Sequence, residues 1–252
     1  MKIPASWRQN EFRLYYLIAR LIFGDSEQNV TFNKNMKMCL RPARLVDLTA
    51  LFGRNEEEPV LKIISNLKKD QIYIDIGAHI GRYTLIAAEK VGPKGRVVAI
   101  EPATDNYRLL SKNIELNKLD NVHIWNIAIA ANDGEALLST GDDPATNSLY
   151  GDWLKMINSK SDNQQRVKIK KLDAIIENEG LTLVDLVKID VEGAELEVLK
   201  GAERSLEKGI IKAVLCEVHE PIVKMSDVIN SLKEKGFRID LLGNNEIYAY
   251  LL

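Results

Sequence analysis

The chain has 252 residues, 46% hydrophobic and 28% charged, with 34 Lys and Arg against 36 Asp and Glu for a net charge of −2. This is an ordinary globular composition, long enough to bury its own core without staples, and its near-neutral balance excludes the global basic footprint of a nucleic-acid binder. Cys39 and Cys216 are the only cysteines; they make neither a metal-ligand pair nor a disulfide framework, so a reducing, cytoplasmic compartment is expected.

The N-terminus lacks the charged start, apolar stretch and small-residue cleavage site of a signal peptide. The apolar run 14–23 is broken by Arg20 and falls short of the ~20 residues that span a membrane. Residues 7–23 read as a helix. Its apolar residues, among them Trp7, Phe12, Leu17, Leu21 and Ile22, cover much of the circumference, with Arg8, Arg13 and Arg20 interspersed. Such a helix more often packs on its own domain or on a second copy of the chain than lies on a membrane surface or closes over a site. A homo-oligomer and a peripheral membrane contact through 7–23 are both compatible with it. Residues 24–29 are turn-rich and 30–55 hold short irregular elements, so 1–55 is expected to be a helical extension or cap. Residues 56–67 form a helix with acidic residues in its first turn and Lys68 and Lys69 at its end, the polarity that the helix dipole prefers. The main domain is expected over 56–252.

From residue 71 a rhythm sets in. Strands are predicted at 72–76, 96–101 and 122–129, with helices at 80–90 and 105–117 between them. This alternation specifies right-handed crossovers and a parallel sheet. Residues 135–139 read as a weaker strand. The polar segment 140–163, which contains Trp153 and Met156, reads as a loop over the substrate. Alternating Arg166, Lys168 and Lys170 suggest an edge strand protected by charge. The rhythm resumes with a strand at 184–190, a helix at 194–206, a strand at 211–219 and a helix at 223–235 stopped by Gly236. Runs 237–241 and 247–251 flank Gly243-Asn244-Asn245, a hairpin signal. The expected fold is α/β: a doubly wound, Rossmann-like, mostly parallel sheet ending in an antiparallel hairpin, with a small helical N-terminal extension.

Chemistry concentrates at the strand ends. After the first strand comes Asp75-Ile-Gly77-Ala78-His79-Ile-Gly81. The glycine spacing is Gly-x-x-x-Gly, whereas a dinucleotide fingerprint is Gly-x-Gly-x-x-Gly around a pyrophosphate. A carboxylate at Asp75 repels phosphate and suits a ligand carrying an ammonium group. Glu101 ends the second strand, where an acidic side chain can accept both hydroxyl hydrogens of an adenosine ribose. The third strand is expected to end at Asn126 and Ala128, beside an adenine ring. Lys188, Asp190 and Glu192 fall on one side if the fourth strand runs that far, and ionisable groups in an apolar strand are costly unless paired. Glu217 and His219 share a side of the fifth strand. Asp190, Glu192, Glu217 and His219 thus converge on one rim. There they can act as a general base or hold a divalent metal, and the metal-free arrangement is preferred.

Together these segments resemble FkbM-type methyltransferases. The resemblance rests on Tyr73-Ile-Asp75-Ile-Gly77-Ala-His79-Ile-Gly81-Arg-Tyr83-Thr84, Gly95-Arg-Val-Val-Ala-Ile-Glu101-Pro102, Asn113-Ile-Glu-Leu-Asn117 with Asn121-Val and Ala128, Lys188-Ile-Asp190-Val-Glu192-Gly193-Ala-Glu195, Leu199-Lys-Gly201-Ala202 and Glu217-Val-His219. Order and spacing agree over about 40–220, and such a chain of motifs is more specific than any one of them. The family usually has Asn where His79 stands, and Asn-Pro where Ala103-Thr104 stand. The resemblance implies methyl transfer from S-adenosylmethionine to oxygen, with a sugar, glycan or other small natural product as acceptor. It implies cofactor contacts from Asp75, Gly77, Ala78, His79, Gly81, Tyr83, Glu101, Pro102, Asn126 and Ala128. Asp190 or His219 is then expected as base and Glu192 as the group orienting the acceptor. Two other readings stand beside it: an NAD-dependent oxidoreductase, and a non-catalytic module binding an adenosine cofactor.

Overall fold

A computed structural model describes residues 18–19, 21–33, 36–44, 47, 58–140, 148–149 and 163–252. Most of the helix expected over 7–23 and most of the segment 140–163 lie outside these. Among the described residues no helix is long and apolar enough to cross a membrane.

The strands are β1 (Gln28–Phe32), β2 (Met36–Leu40), β3 (Ile72–Ile76), β4 (Arg96–Ile100), β5 (Val122–Trp125), β6 (Ala128–Ile129), β7 (Gly134–Thr140), β8 (Asn163–Lys170), β9 (Leu186–Ile189), β10 (Ala213–Glu217), β11 (Arg238–Leu241) and β12 (Glu246–Tyr250). The helices are α1 (Glu58–Ser65), α2 (Arg82–Val91), α3 (Thr104–Asn117), α4 (Leu172–Asn178), α5 (Glu195–Gly201), α6 (Glu203–Glu207) and α7 (Met225–Lys233). Seven strands form the main sheet in the order β11-β12-β10-β9-β3-β4-β5. β5, β4, β3, β9 and β10 run parallel; β12 is antiparallel to both β10 and β11. The strand order reverses between β3 and β9. That switch point opens a crevice at the strand C-termini, where doubly wound sheets bind ligands.

Alternation along the strands divides the core in two. Ile74, Ile76, Val98, Ile100, Val187, Ile189 and Val214 pack with α4, α5, α6 and α7 on one face. Tyr73, Val97, Leu186 and Leu215 pack with α1, α2, α3 and the β1–β2 hairpin on the other. Residue parity then puts Asp75, Glu101, Lys188 and Glu217 toward the second face, all near the C-terminal ends of their strands.

Four expectations are corrected. Residues 28–40, expected to be irregular, form the antiparallel β1–β2 hairpin. Its partner is α3: buried Asn113 accepts from the Cys39 N–H and donates to the Cys39 and Ile80 carbonyls, and Asn117 pairs with both backbone groups of Lys37. Asparagine amides thus continue the β2 ladder, a signal invisible to hydrophobic periodicity. Asn113→Ala should cost about 3 kcal/mol in urea denaturation, since it strands several buried backbone groups; a loss below about 1 kcal/mol would contradict this role. The strand expected over 122–129 is split, because β6 leaves the main sheet to pair with β8. β8 is not an edge but the middle of the three-stranded sheet β6-β8-β7. Its charges lie on a solvated face, with Arg166 pairing Glu135 and Lys170 pairing Asp133. The helix expected over 194–206 breaks at Ala202; the Asp173 carboxylate accepts the N–H groups of Arg204 and Ser205 and so starts α6.

Candidate active site

The floor of the crevice is an ionic cluster inside an apolar layer. Asp75 on β3 stands in register opposite Lys188 on β9. Asp75 is fully buried, and Thr84 donates to its Oδ2 at 2.6 Å. Lys188 Nζ lies 3.0 Å from Asp190 Oδ2, 4.0 Å from Asp75 Oδ1 and 4.9 Å from the centre of the Tyr83 ring. Burial favours neutral forms, but at Lys188 and Asp190 charge overrides it. Burial pulls the Lys188 pKa down, yet Asp190 and Asp75 together hold it above the ordinary lysine value. Burial likewise pushes Asp190 up, and Lys188 followed by His219 brings it below the usual aspartate value. For Asp75 burial prevails over Lys188 and Thr84, and its pKa is raised. Asp75 therefore orders the floor of the site from within. Burial also pushes the Tyr83 phenol up to about 12.

The loop after β3 is closed on itself. The N–H groups of Gly77 and Ala78 both donate to the Ile100 carbonyl, that of His79 to Glu101 Oε2 at 2.8 Å, and that of Gly81 to the Ala78 carbonyl. Gly77 has φ 80°, and a Cβ there would lie 1.8 Å from the Asp190 carbonyl oxygen. At Gly81, φ 95°, a Cβ would meet Leu110 Cδ1 at 2.7 Å. The glycines are thus required for packing within the protein. Ala78 packs with Ala99 and Leu110. His79 does not cap α2, whose N-cap is Gly81 with no side-chain hydrogen bond. Burial pushes its imidazole down to about 4, so the ring is neutral at pH 7, and Nε2 is buried with no hydrogen-bond partner among the described residues.

Glu101, directly after β4, is buried. Its Oε1 accepts from the Ala103 N–H at 3.0 Å and from Asn106 at 3.4 Å. Burial raises its pKa to about 7 against the pull of these donors. Asn126 braces the same corner by donating to the carbonyls of Glu101 and Pro102. Ala128 is not at the end of β5; it sits on β6, packed with Ala103, Leu138 and Val167. A buried carboxyl with a raised pKa is most stable protonated. Its contribution is full below the unfolded value of 4.5 and is lost as pH rises through about 7. Glu101→Gln should therefore flatten the fall in melting temperature between pH 4.5 and 7; parallel profiles would contradict the raised value.

The rim beyond the floor is acidic. β9 ends at Ile189, and Glu192 sits in a turn with φ 52°. A turn, not strand alternation, brings Glu192 to Asp190. His219, two residues past β10, places Nε2 3.5 Å from Glu192 Oε2 and 3.9 Å from Asp190 Oδ1. Its Nδ1 lies 2.8 Å from Glu195 Oε1, which also accepts from the Gly193 N–H. Burial opposes the imidazolium, but Glu195, Glu192 and Asp190 raise the His219 pKa to about 10. The ring keeps its proton at neutral pH, which leaves Asp190 as the acceptor of the two expected bases. Glu217 is raised to about 7 by the charge of Asp190 and by burial, and Asn245 donates to it. Ser148, from the segment between β7 and β8, donates to the Glu192 carbonyl at 2.6 Å. Sequence reasoning gave Glu195 no role: an acidic residue in the first turn of a helix reads as a dipole complement, yet it is fully buried.

The family model for the methyltransferase FkbM domain matches residues 75–239. The chain is 29% identical over 201 residues to methyltransferase sdnD of Sordaria araneosa, covering 70% of this chain and 77% of that protein. It is 26% identical over 182 residues to the hexuronic acid methyltransferase AglP of Haloferax volcanii, covering 72% and 69%. Among solved structures it resembles a methyltransferase FkbM from Methylobacillus flagellatus, with a TM-score of 0.52 and 17% identity over 74% of this chain and 48% of that one. The chain thus spans about half the length of that solved relative.

Proposed function

Because the chain belongs to the FkbM family of S-adenosylmethionine-dependent methyltransferases, we propose that it methylates a hydroxyl oxygen of a sugar, glycan or other small natural product. The observation that carries the cofactor assignment is the closed first loop. Four of its amides, at Gly77, Ala78, His79 and Gly81, are spent on protein acceptors. A pyrophosphate cradle needs such amides free, so the loop suits a cofactor without phosphate and disfavours NAD. A neutral His79 with a buried, unsatisfied Nε2 and the carboxyl group of Glu101 fit the polar ends of such a ligand.

When bound, S-adenosylmethionine supplies an electrophilic methyl group. Glu101 would accept from the ribose hydroxyls, and His79 would meet the methionine carboxylate. Asp75, Gly77, Ala78, Gly81 and Tyr83 fix the loop, while Pro102 and Asn126 shape the adenine side. A hydroxyl is a weak nucleophile until its proton leaves. Asp190, kept ionised by Lys188 and His219, accepts that proton, and Glu192 and His219 orient the acceptor. Holding oxygen in line with the methyl group is the larger part of the catalysis, worth about 7–11 kcal/mol in good cases. The relative named for a hexuronic acid supports a sugar acceptor. We assign residues 1–55 as a cap on the domain 56–252, and a small-molecule rather than nucleic-acid partner in the cytoplasm.

The test is acceptor-dependent turnover of isotope-labelled S-adenosylmethionine against a panel of hydroxylated sugars and uronic acids, with the product examined by NMR. Label in an O-methyl ether is expected. Label on nitrogen or carbon would overturn the oxygen assignment.

A further inference from the structure

We propose that Asp190, Glu192 and His219 form a site for one divalent transition-metal ion, Mn2+ being the type, inside the acceptor pocket. One ligand atom from each residue lies within 4.8 Å of the other two. They come from adjoining strand ends: Asp190 follows β9, Glu192 lies in the next turn, and His219 follows β10. Two carboxylate oxygens and an imidazole nitrogen form a donor set suited to Mn2+, Fe2+ or Zn2+.

Asp190 and His219 are pre-aimed. Lys188 occupies Asp190 Oδ2, while Oδ1 is the oxygen that faces His219. Behind the ring, Glu195 Oε1 takes Nδ1 at 2.8 Å, and the Gly193 N–H fixes that carboxylate in turn. His219 Nε2 is thereby turned toward Glu192 and Asp190, and a cation binding there would displace the Nε2 proton to solvent. A carboxylate on the far nitrogen is the arrangement that fixes the tautomer and orientation of a metal-bound histidine. Glu195 is itself fully buried, and its Oε2 has no hydrogen-bond partner among the described residues. The sequence pattern alone favoured a metal-free rim; the convergence of the donors and the buried carboxylate behind them favour the cation.

The inference rests on Asp190 marking the acceptor side. With a cation held there, Asp190 would serve as its ligand rather than as the base, and the cation would acidify the acceptor hydroxyl, whose proton would leave to solvent. The hydroxyl oxygen would then bond the methyl carbon as the carbon–sulfur bond breaks, with the electron pair left on sulfur.

Metal-stripped full-length protein, without cofactor or acceptor, is titrated with Mn2+ by electron paramagnetic resonance. One bound Mn2+ per chain is expected, weakened at least tenfold in Asp190→Asn and in Glu192→Gln, and about 10–100-fold in Glu195→Gln. Circular dichroism checks that each near-isosteric variant folds. Absence of Mn2+ binding by folded wild type, or equal binding by all variants, overturns the site. S-adenosylhomocysteine is titrated in parallel. Its binding without Mn2+ binding would sink this inference alone, whereas Mn2+ binding without it would sink the cofactor assignment instead.

Discussion

Gly77→Ala is expected to destabilise the protein by more than about 4 kcal/mol and to abolish cofactor binding, an effect of the size reserved for backbone clashes and buried-network failures. The residue adopts φ 80°, a left-handed conformation that costs any side chain about 1–2 kcal/mol. The steric clash costs more. The new Cβ would sit 1.8 Å from the Asp190 carbonyl oxygen and 2.9 Å from its carbon. Backbone offers no flexible end to swing aside, so the loops after β3 and β9 would have to part. That would strain the Asp190 N–H to Ile76 bond and the shared bond of Gly77 and Ala78 to Ile100. It would also move Asp190, Lys188 and the start of α2 together. Calorimetric melting reads the effect directly; a melting temperature near that of wild type would mean the two loops are not packed as described.

Asp190→Asn is expected to lower turnover by about 10²–10⁴-fold, the range for losing a positioned general base, while changing affinity for S-adenosylhomocysteine little. The replacement keeps shape and removes charge. Asp190 is half-buried at the switch point, held ionised by Lys188 at 3.0 Å and His219 at 3.9 Å. The asparagine amide cannot take a proton. Because Lys188 keeps Asp75 as partner, the variant should still fold, although a buried charge pair is loosened and some stability is lost. Steady-state kinetics beside calorimetry separates the two readouts. Full activity would remove Asp190 as base, and equal losses of turnover and cofactor affinity would make it a cofactor contact.

Much of this architecture was legible in the residues. Short apolar runs ended by glycine or acid, alternating with amphipathic helices, specify a parallel sheet. The chemistry-bearing residues stood at strand C-termini, where the switch point gathers them. Periodicity failed where the decisive partner is distant in sequence. Alternating Arg166, Lys168 and Lys170 show that one face of β8 is wet, but not that β6 and β7 flank it. Asn113 and Asn117 read as polar helix positions, although they complete the β2 ladder. The site shows the same limit. Asp75 and the two glycines stand out in the sequence as special, but their contacts are internal: Lys188 and Thr84 for the carboxylate, Asp190 and Leu110 for the missing Cβ atoms. Glu192 reaches the rim through a left-handed turn that no alternation rule contains. Glu195 was hidden by its place at a helix start, and only the fold shows it behind His219.

The central claim, a cofactor site at the ends of β3 and β4, is tested most directly by calorimetric titration of the purified protein with S-adenosylhomocysteine, with NADH as control and Glu101→Ala alongside. Binding of S-adenosylhomocysteine alone, sharply weakened in Glu101→Ala, is the predicted result. Binding of NADH instead, or affinity untouched by loss of the Glu101 carboxylate, would contradict it.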